Sequence, residues 1–363
     1  MSSAPRRIVI AAGGTAGHVV PALAVAEALR AEGAEVAFIG GARAEARLVP
    51  AAGFQLHTIA VEALSRTNPL RAVRALARAA AALPRARRIL AALAPDAVMG
   101  GGGYVAGPVA LAALTLRLPV VLTEADSRMG LSNRILAPFA RRVCLAFPPS
   151  SRRSRLAARA SRRYRVTGRP MYPRRHERAG ARARFGIAAE ETCVLVFGGS
   201  LGARSINLAA IEAFAGASFR VLHVCGPRDY PELVRRELRP GYDLREQLDP
   251  ADFGDALAAS DLAVARAGGS VFEIAAHGLP AILIPYAHAA GDHQSANARW
   301  MTEAGAAIAI ADHDLSAARL AGEVAALLAE RSRLQAMAAA ASAVARPDAA
   351  LAVARELLEA SCA

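Results

Sequence analysis

Twice along the chain a short aliphatic run ends in a glycine-rich turn and passes into an alanine-rich stretch. The first instance is Arg7–Ala12 followed by Gly13-Gly14-Thr15-Ala16-Gly17-His18; the second is Cys193–Phe197 followed by Gly198-Gly199-Ser200-Leu201-Gly202-Ala203-Arg204. A buried strand feeding a glycine turn and a crossover helix is how a doubly wound parallel sheet begins. Aliphatic runs keep the rhythm after each start: Val36–Gly40, Ala97–Met99, Val120–Leu122 and Val143–Leu145, then Arg220–Val224, Leu262–Val264 and Ala281–Ile284. A first helix is expected from about Pro21 to Ala31. The segment 150–186, rich in Arg, Ser and Pro, reads as the irregular end of one domain and a linker. The expected fold class is α/β, with two doubly wound Rossmann-like domains facing across a cleft. The first spans 1–168 and the second 169–346, with a C-terminal helix (Ala349–Glu359, in the tail 347–363) docking back on the first.

At 363 residues the chain is long enough for two sizeable cores. All 44 basic residues are Arg, and 91 residues are Ala. Without Lys there is no pyridoxal Schiff base, no phosphate-loop Lys and no Lys nucleophile. Cys144, Cys193, Cys225 and Cys362 are far apart, with no C-x-x-C pair, and read as free thiols of a reducing compartment. Neither a metal nor a cofactor is expected. The uncharged stretch 8–26 is interrupted by Gly13, Gly14, Gly17, His18 and Pro21, which argues against a secretory signal, and no apolar run is long enough to span a bilayer. The expected location is cytoplasmic, with any membrane contact peripheral.

The net charge of +13 is concentrated. From Arg141 to Arg184 there are 15 Arg and one acid, Glu177; between Arg66 and Arg88 there are seven Arg and no acid. In the second stretch Leu70, Val73, Leu76, Ala80 and Leu83 recur at helical spacing beside Arg71, Arg74 and Arg78. Such a basic amphipathic helix suits an anionic membrane surface, and equally an ordinary helix docked on a core. No helix-turn-helix, zinc-finger or aromatic ribonucleoprotein pattern accompanies the charge, so nucleic acid is not an expected partner.

The glycine loops carry the chemistry. Amides at a helix start suit a phosphate or diphosphate. Thr15 stands where the dinucleotide fingerprint needs its second glycine, which weighs against a nicotinamide enzyme. His18 is a candidate general base or ligand-orienting group. Gly100 to Gly103, followed by Tyr104, allow close backbone approach and add a hydroxyl. Gly198 to Arg204 again offer amides to a phosphate. In Arg266-Ala267-Gly268-Gly269-Ser270-Val271-Phe272-Glu273 the final carboxylate can take two ribose hydroxyls, and Asp292-His293-Gln294-Ser295-Ala296-Asn297 suits sugar hydroxyls. His288 and His293 are poorly spaced for a metal on a helix, and Asp312-x-Asp314 reads as a helix cap.

In order and spacing these five segments resemble the peptidoglycan N-acetylglucosaminyltransferases, over nearly the whole chain. The resemblance implies a GT-B fold and inverting transfer of N-acetylglucosamine from UDP-N-acetylglucosamine to the 4-hydroxyl of undecaprenyl-diphospho-muramoyl-pentapeptide, lipid I, on the cytoplasmic side of the inner membrane. For the base that takes the hydroxyl proton, His18, Glu124 and Asp126 are candidates by residue type, with His18 preferred for its position in the loop and catalytic roles assigned to His18 and Glu124. The resemblance places Ser200, Gly199, Gly202, Asn207, Arg266, Glu273, His293 and Gln294 at the donor, and Gly14, Thr15, Gly17, Gly102, Gly103, Tyr104, Asp126 and Asn133 at the acceptor and its diphosphate. Residues 66–93 become the surface facing the anionic inner membrane. The chain departs from the family pattern in Thr123-Glu124-Ala125-Asp126, where an acceptor-site amide has become the Asp126 carboxylate. It departs again at Tyr172, where the family has a phosphate-binding Arg that Arg169 or Arg174 could replace, and at Leu201, where the family has Gln. Other GT-B chemistries, such as nucleotide-sugar epimerisation or a soluble acceptor, and a non-catalytic peripheral membrane protein, are the competing readings.

Overall fold

The computed structural model describes residues 4–62, 68–127, 129–148, 162–173, 176–287 and 292–362. The chain divides into two compact units, Met1–Met171 with Pro347–Ala363, and Tyr172–Arg346.

In the first unit seven parallel strands are ordered β3-β2-β1-β4-β5-β6-β7. They are β1 (Arg7–Ala11), β2 (Glu35–Gly40), β3 (Gln55–Thr58), β4 (Ala97–Gly100), β5 (Val120–Glu124), β6 (Arg142–Leu145) and β7 (Tyr164–Val166). The register pairs Ile8 with Val36 on one side and with Ala97 on the other. The helices are α1 (Ala16–Ala31), α2 (Ala44–Ala51), α3 (Pro69–Leu93), α4 (Gly103–Thr115) and α5 (Leu131–Leu136). In α3, Asn68 accepts from the Arg71 amide at 3.1 Å and Pro69 occupies the first helical position, so the start is capped and preorganised.

The second unit has six parallel strands ordered β10-β9-β8-β11-β12-β13. These are β8 (Cys193–Phe197), β9 (Arg220–Val224), β10 (Tyr242–Arg245), β11 (Leu262–Ala265), β12 (Ala281–Leu283) and β13 (Ala307–Ala309). Its helices are α6 (Arg178–Arg184), α7 (Arg204–Ala213), α8 (Tyr230–Leu233), α9 (Pro250–Ala259), α10 (Val271–Ala276), α11 (His293–Glu303), α12 (Ala317–Ala329) and α13 (Arg331–Val344). The central strands β4, β8 and β11 are buried along their whole length, as parallel strands covered on both faces must be. The last helix, α14 (Ala349–Ser361), packs on α1 and belongs to the first unit, where Glu356 pairs with Arg142 at 2.8 Å and Arg165 at 3.2 Å. The stretch Arg331–Ser361 is apolar enough in composition to cross a bilayer, but it consists of two helices separated around Pro347.

One expectation is corrected, and one open alternative is decided. The stretch 150–186 is not simply irregular, because β7 pairs with β6 inside the first sheet and α6 packs on α9; positions 149–161, which carry several of the clustered Arg, and Arg174 lie outside the described residues. Along α3, Leu70, Val73 and Leu76 do not face a core. They are 81%, 65% and 61% exposed, and Ala75, Ala82, Ala86 and Leu90 make the buried stripe instead.

Candidate functional site

In each sheet the strand order reverses beside the first strand, at β1 and β4 and again at β8 and β11. The crevice outside the carboxyl ends of such a strand pair is where doubly wound sheets receive ligands. The glycine loops singled out in the sequence stand at these points.

At the first crevice α1 begins at Ala16, five residues before the expected start, so Gly17 and His18 lie in its first turn; the His18 amide donates to the Thr15 carbonyl at 3.0 Å, and the amides of Ala16 and Gly17 precede the helix's own bonds. Pro21 has no N–H for the Gly17 carbonyl four residues earlier, and the Arg169 guanidinium donates to that oxygen instead. Gly17, His18, Thr123, Glu124, Thr167 and Arg169 line one solvent-open pocket. Burial lowers the His18 pKa and Arg169 lowers it further, outweighing Asp126 and Glu45, so the imidazole is held neutral. Its Nδ1 lies 3.3 Å from Thr15 Oγ1. Gly102, at φ +92°, packs beneath the ring, since a Cβ there would stand 2.8 Å from His18 Cδ2. Glu124 accepts from the amides of Asp126 (3.1 Å) and Gly130 (2.8 Å) and from Asn133 Nδ2 (2.9 Å). Burial raises its pKa against those bonds. Glu124 and Asn133, both 8% exposed, therefore shape the loop after β5, and the Asn133 amide is taken up by Glu124 and the Thr123 carbonyl.

A residue that no motif flagged organises the other side of this loop. Glu45 in the first turn of α2 is 0% exposed; its Oε2 accepts from Gly14 N–H at 2.8 Å, and its Oε1 accepts from Gly41 N–H and the Tyr104 hydroxyl, both at 2.9 Å. Burial works to raise its pKa, and these bonds outweigh it and hold the carboxyl below the usual range. The expectation that Gly14 offers its amide, and Tyr104 its hydroxyl, to a ligand is corrected accordingly, because Glu45 takes both. Burial and the Glu45 bond push the Tyr104 hydroxyl up to about 12. Gly103 is required by packing, since a Cβ would overlap the Gly13 carbonyl.

In the second unit Gly199, Ser200 and Leu201 form a protruding turn closed by Gly202 N–H to the Gly199 carbonyl at 3.0 Å. A Cβ at Gly199 would meet nothing within 4 Å, whereas one at Gly202 would overlap the Cys225 carbonyl. Asn207 does not reach this surface. It is 0% exposed, donates to the Cys225 carbonyl (2.9 Å) and Asp229 (2.7 Å), and meets His223 Nε2 at 3.0 Å, so it is a support for the turn rather than a ligand contact. Arg266 is likewise committed: it is 8% exposed and bonds Asp312 (2.7 Å), Ser205 (2.8 Å) and the Ile284 carbonyl (3.2 Å). Asp312 thus anchors an arginine rather than capping a helix; Ser316 caps α12. Glu273 lies half-buried in the first turn of α10, and His293 and Gln294 open α11, with Gln294 accepting from Tyr286 N–H at 2.9 Å. His288 lies outside the described residues.

The models of the glycosyltransferase family 28 N-terminal and C-terminal domains match residues 8–145 and 193–353. The chain belongs to glycosyltransferase family 28. Among its family 28 relatives, a protein of Moorella thermoacetica is 41% identical over 97% of this chain and 98% of its own length. One of Mycolicibacterium smegmatis is 42% identical over 97% of this chain and 93% of its own. Both are named UDP-N-acetylglucosamine–N-acetylmuramyl-(pentapeptide) pyrophosphoryl-undecaprenol N-acetylglucosamine transferase. The crystal structure of Acinetobacter baumannii MurG matches with a TM-score of 0.75 at 28% identity, covering 98% of this chain and all of that one (100%). The chain is a glycosyltransferase with the two Rossmann-like units of the GT-B fold.

Proposed function

We propose that this chain transfers N-acetylglucosamine from UDP-N-acetylglucosamine to the muramoyl-pentapeptide carried on undecaprenyl diphosphate, converting lipid I to lipid II in peptidoglycan synthesis. The observation that carries the reading is the first pocket, where a helix N-terminus, an arginine and a neutral imidazole meet at a topological switch point. That set suits an anionic acceptor whose hydroxyl must lose a proton.

The first unit holds the acceptor, its diphosphate lying on the first turn of α1 beside Arg169, and the second unit holds the donor. The acceptor's 4-hydroxyl attacks the anomeric carbon of N-acetylglucosamine, the bond to UDP breaks, and the configuration inverts. His18 takes the hydroxyl proton. Charge growing on the departing UDP is met by the Ser200 turn and the amides at the start of α7. Glu273 binds the ribose, and His293 and Gln294 bind the transferred sugar. Glu124 and Asn133 act at one remove by shaping the Asp126 loop.

The enzyme works as a peripheral protein on the cytoplasmic face of the inner membrane. Leu70, Val73 and Leu76 on α3 are exposed beside Arg71, Arg74 and Arg78, and Leu131, Ile135 and Phe139 in and after α5 are 58%, 59% and 68% exposed. Apolar side chains rimmed by arginine fit an anionic lipid surface.

The test is transfer of labelled N-acetylglucosamine to a lipid I analogue by the wild type and by His18→Ala. Lipid-dependent product is expected, with the variant's kcat lower by about 10²- to 10⁴-fold at unchanged donor affinity. Turnover of the donor without the lipid acceptor, or full activity of the variant, would overturn the reaction or the base respectively.

A further inference from the structure

We propose that Glu45 is a positioning residue for the acceptor diphosphate: it ties the Gly13–Gly14 turn and Tyr104 to the end of β2 and so fixes the direction in which α1 presents its first amides. The proposal rests on the reading that this helix turn receives that diphosphate.

The carboxylate occupies a cradle made by glycines. A Cβ at Gly13 would stand 2.7 Å from Glu45 Oε1, one at Gly40 2.8 Å from its Cγ, and one at Gly41 2.8 Å from Oε1. Taking a carboxylate out of water costs several kcal/mol unless donors replace the water. Here the donors are two backbone amides and a tyrosine hydroxyl, and charge-assisted bonds of this kind are the strong ones. An apolar side chain would fill the same space without that cost, so the charge serves the geometry of the turn. Gly14 sits at φ +111°, a conformation with alternatives open to glycine. Ala16 and Gly17 follow within three residues, so a rotation at Gly14 redirects the amides of the α1 start. Glu45 itself contacts the loop from beneath and lies outside the lining of the His18 pocket.

The test is steady-state kinetics of Glu45→Gln, with both substrates varied, using UDP-N-acetylglucosamine and a short-chain lipid I analogue. Glutamine keeps the volume but sets an N–H against an N–H at Gly14 or Gly41. The acceptor KM is expected to rise at least tenfold while kcat and the donor KM stay within twofold. A purely structural role would reduce the active fraction, lowering kcat and leaving both KM values in place, and that result overturns the proposal. If Glu45→Gln does not fold, Tyr104→Phe carries the test, removing one of the three bonds and raising the acceptor KM about threefold; no rise overturns it. Gly17→Asp separates the two readings, because an acid suits a helix start yet repels a diphosphate. If Gly17→Asp raises the acceptor KM and Glu45→Gln does not, the proposal alone falls. If Gly17→Asp leaves the acceptor KM unchanged, the acceptor reading of the loop falls and the proposal with it.

Discussion

The two units hang a glycine turn from the same place, the carboxyl end of the first strand, and each braces it with an acid that follows the second strand. In the first unit the acid is Glu45, which grips backbone amides directly. In the second it is Asp229, 7% exposed, which grips side chains, Arg204 at 3.1 Å and Asn207 at 2.7 Å, with His223 and the Tyr242 hydroxyl continuing the chain inward. The direct brace consumes the Gly14 amide, so the proposed diphosphate contact falls to the helix start. The indirect brace leaves Gly199 to Leu201 protruding with their surroundings open. One topology thus yields a recessed site and a projecting one, according to whether the bracing acid reaches main chain or side chain.

Acid should separate the two braces, with the largest effect on the second unit. Burial lowers the His223 pKa to about 3 from an ordinary 6.5. The unfolded chain therefore takes up this proton near pH 6.5 and the folded one only near 3, so stability falls with pH across that window, by on the order of 4 kcal/mol at its foot. The Glu45 carboxyl is shifted the other way, below 4.5, so its contribution is intact above pH 4.5 and is lost only as pH falls through its lowered value. His18, half-buried, adds a smaller loss to the first unit below 6.5. Hydrogen exchange between pH 7 and 5 should show amides of β8 and β9 losing protection before those of β1 and β4, and His223→Gln should remove most of the difference. Equal losses in both sheets would break the comparison.

The glycines that seat the turns should behave alike despite the different braces. Gly103 (φ +76°) and Gly202 (φ +79°) each leave no room for a Cβ against a carbonyl. Alanine at either adds backbone strain to overpacking, a loss of roughly 3 kcal/mol. Gly199 (φ +90°) has open space, so alanine there costs only strain, roughly 1 kcal/mol. Urea unfolding of the three variants checks the ranking; a Gly199→Ala loss as large as that of Gly202→Ala would mean that the turn is packed in solution.

What sequence could reveal follows the same division between core and margin. The central strands carry unbroken apolar runs and were legible in place, as were the glycine turns. The strands without a legible run, β3, β7, β10 and β13, are the sheet edges; three are short and partly polar, such as Gln-Leu-His-Thr or Tyr-Asp-Leu-Arg, and β13, Ala-Ile-Ala, is only three residues long. Half-covered edges need no continuous apolar run, so hydrophobicity does not announce them. At the site, motif letters marked the neighbourhood but not the direction of a side chain: Asn207 and Arg266 stand beside the turn and point into the protein. Glu45 had a signal in the Gly40-Gly41 pair that precedes it, which reads as an ordinary strand end until the buried carboxylate is seen.

The smallest effect tests a difference in the outer surfaces. The first unit exposes Leu70, Val73, Leu76, Leu131, Ile135 and Phe139, whereas the large apolar groups exposed on the second, among the described residues, are Leu201, Val234 and Tyr286. Helices α3 and α5 both pack on α4, so the first set occupies one side of the unit. If lipid covers it, each side chain that enters the acyl boundary gains about 1–2 kcal/mol, less than the 1.5–3 kcal/mol of full burial. The arginines add attraction that salt screens. Leu76→Asp should therefore weaken binding to vesicles containing anionic phosphatidylglycerol roughly tenfold, and Val234→Asp should leave it unchanged, with both variants retaining the wild-type unfolding midpoint. Transfer to a soluble acceptor analogue should be unaffected by either substitution, because neither residue touches the pocket at His18. Loss of vesicle binding in Val234→Asp, or its retention in Leu76→Asp, would assign the lipid-facing surface to something other than α3.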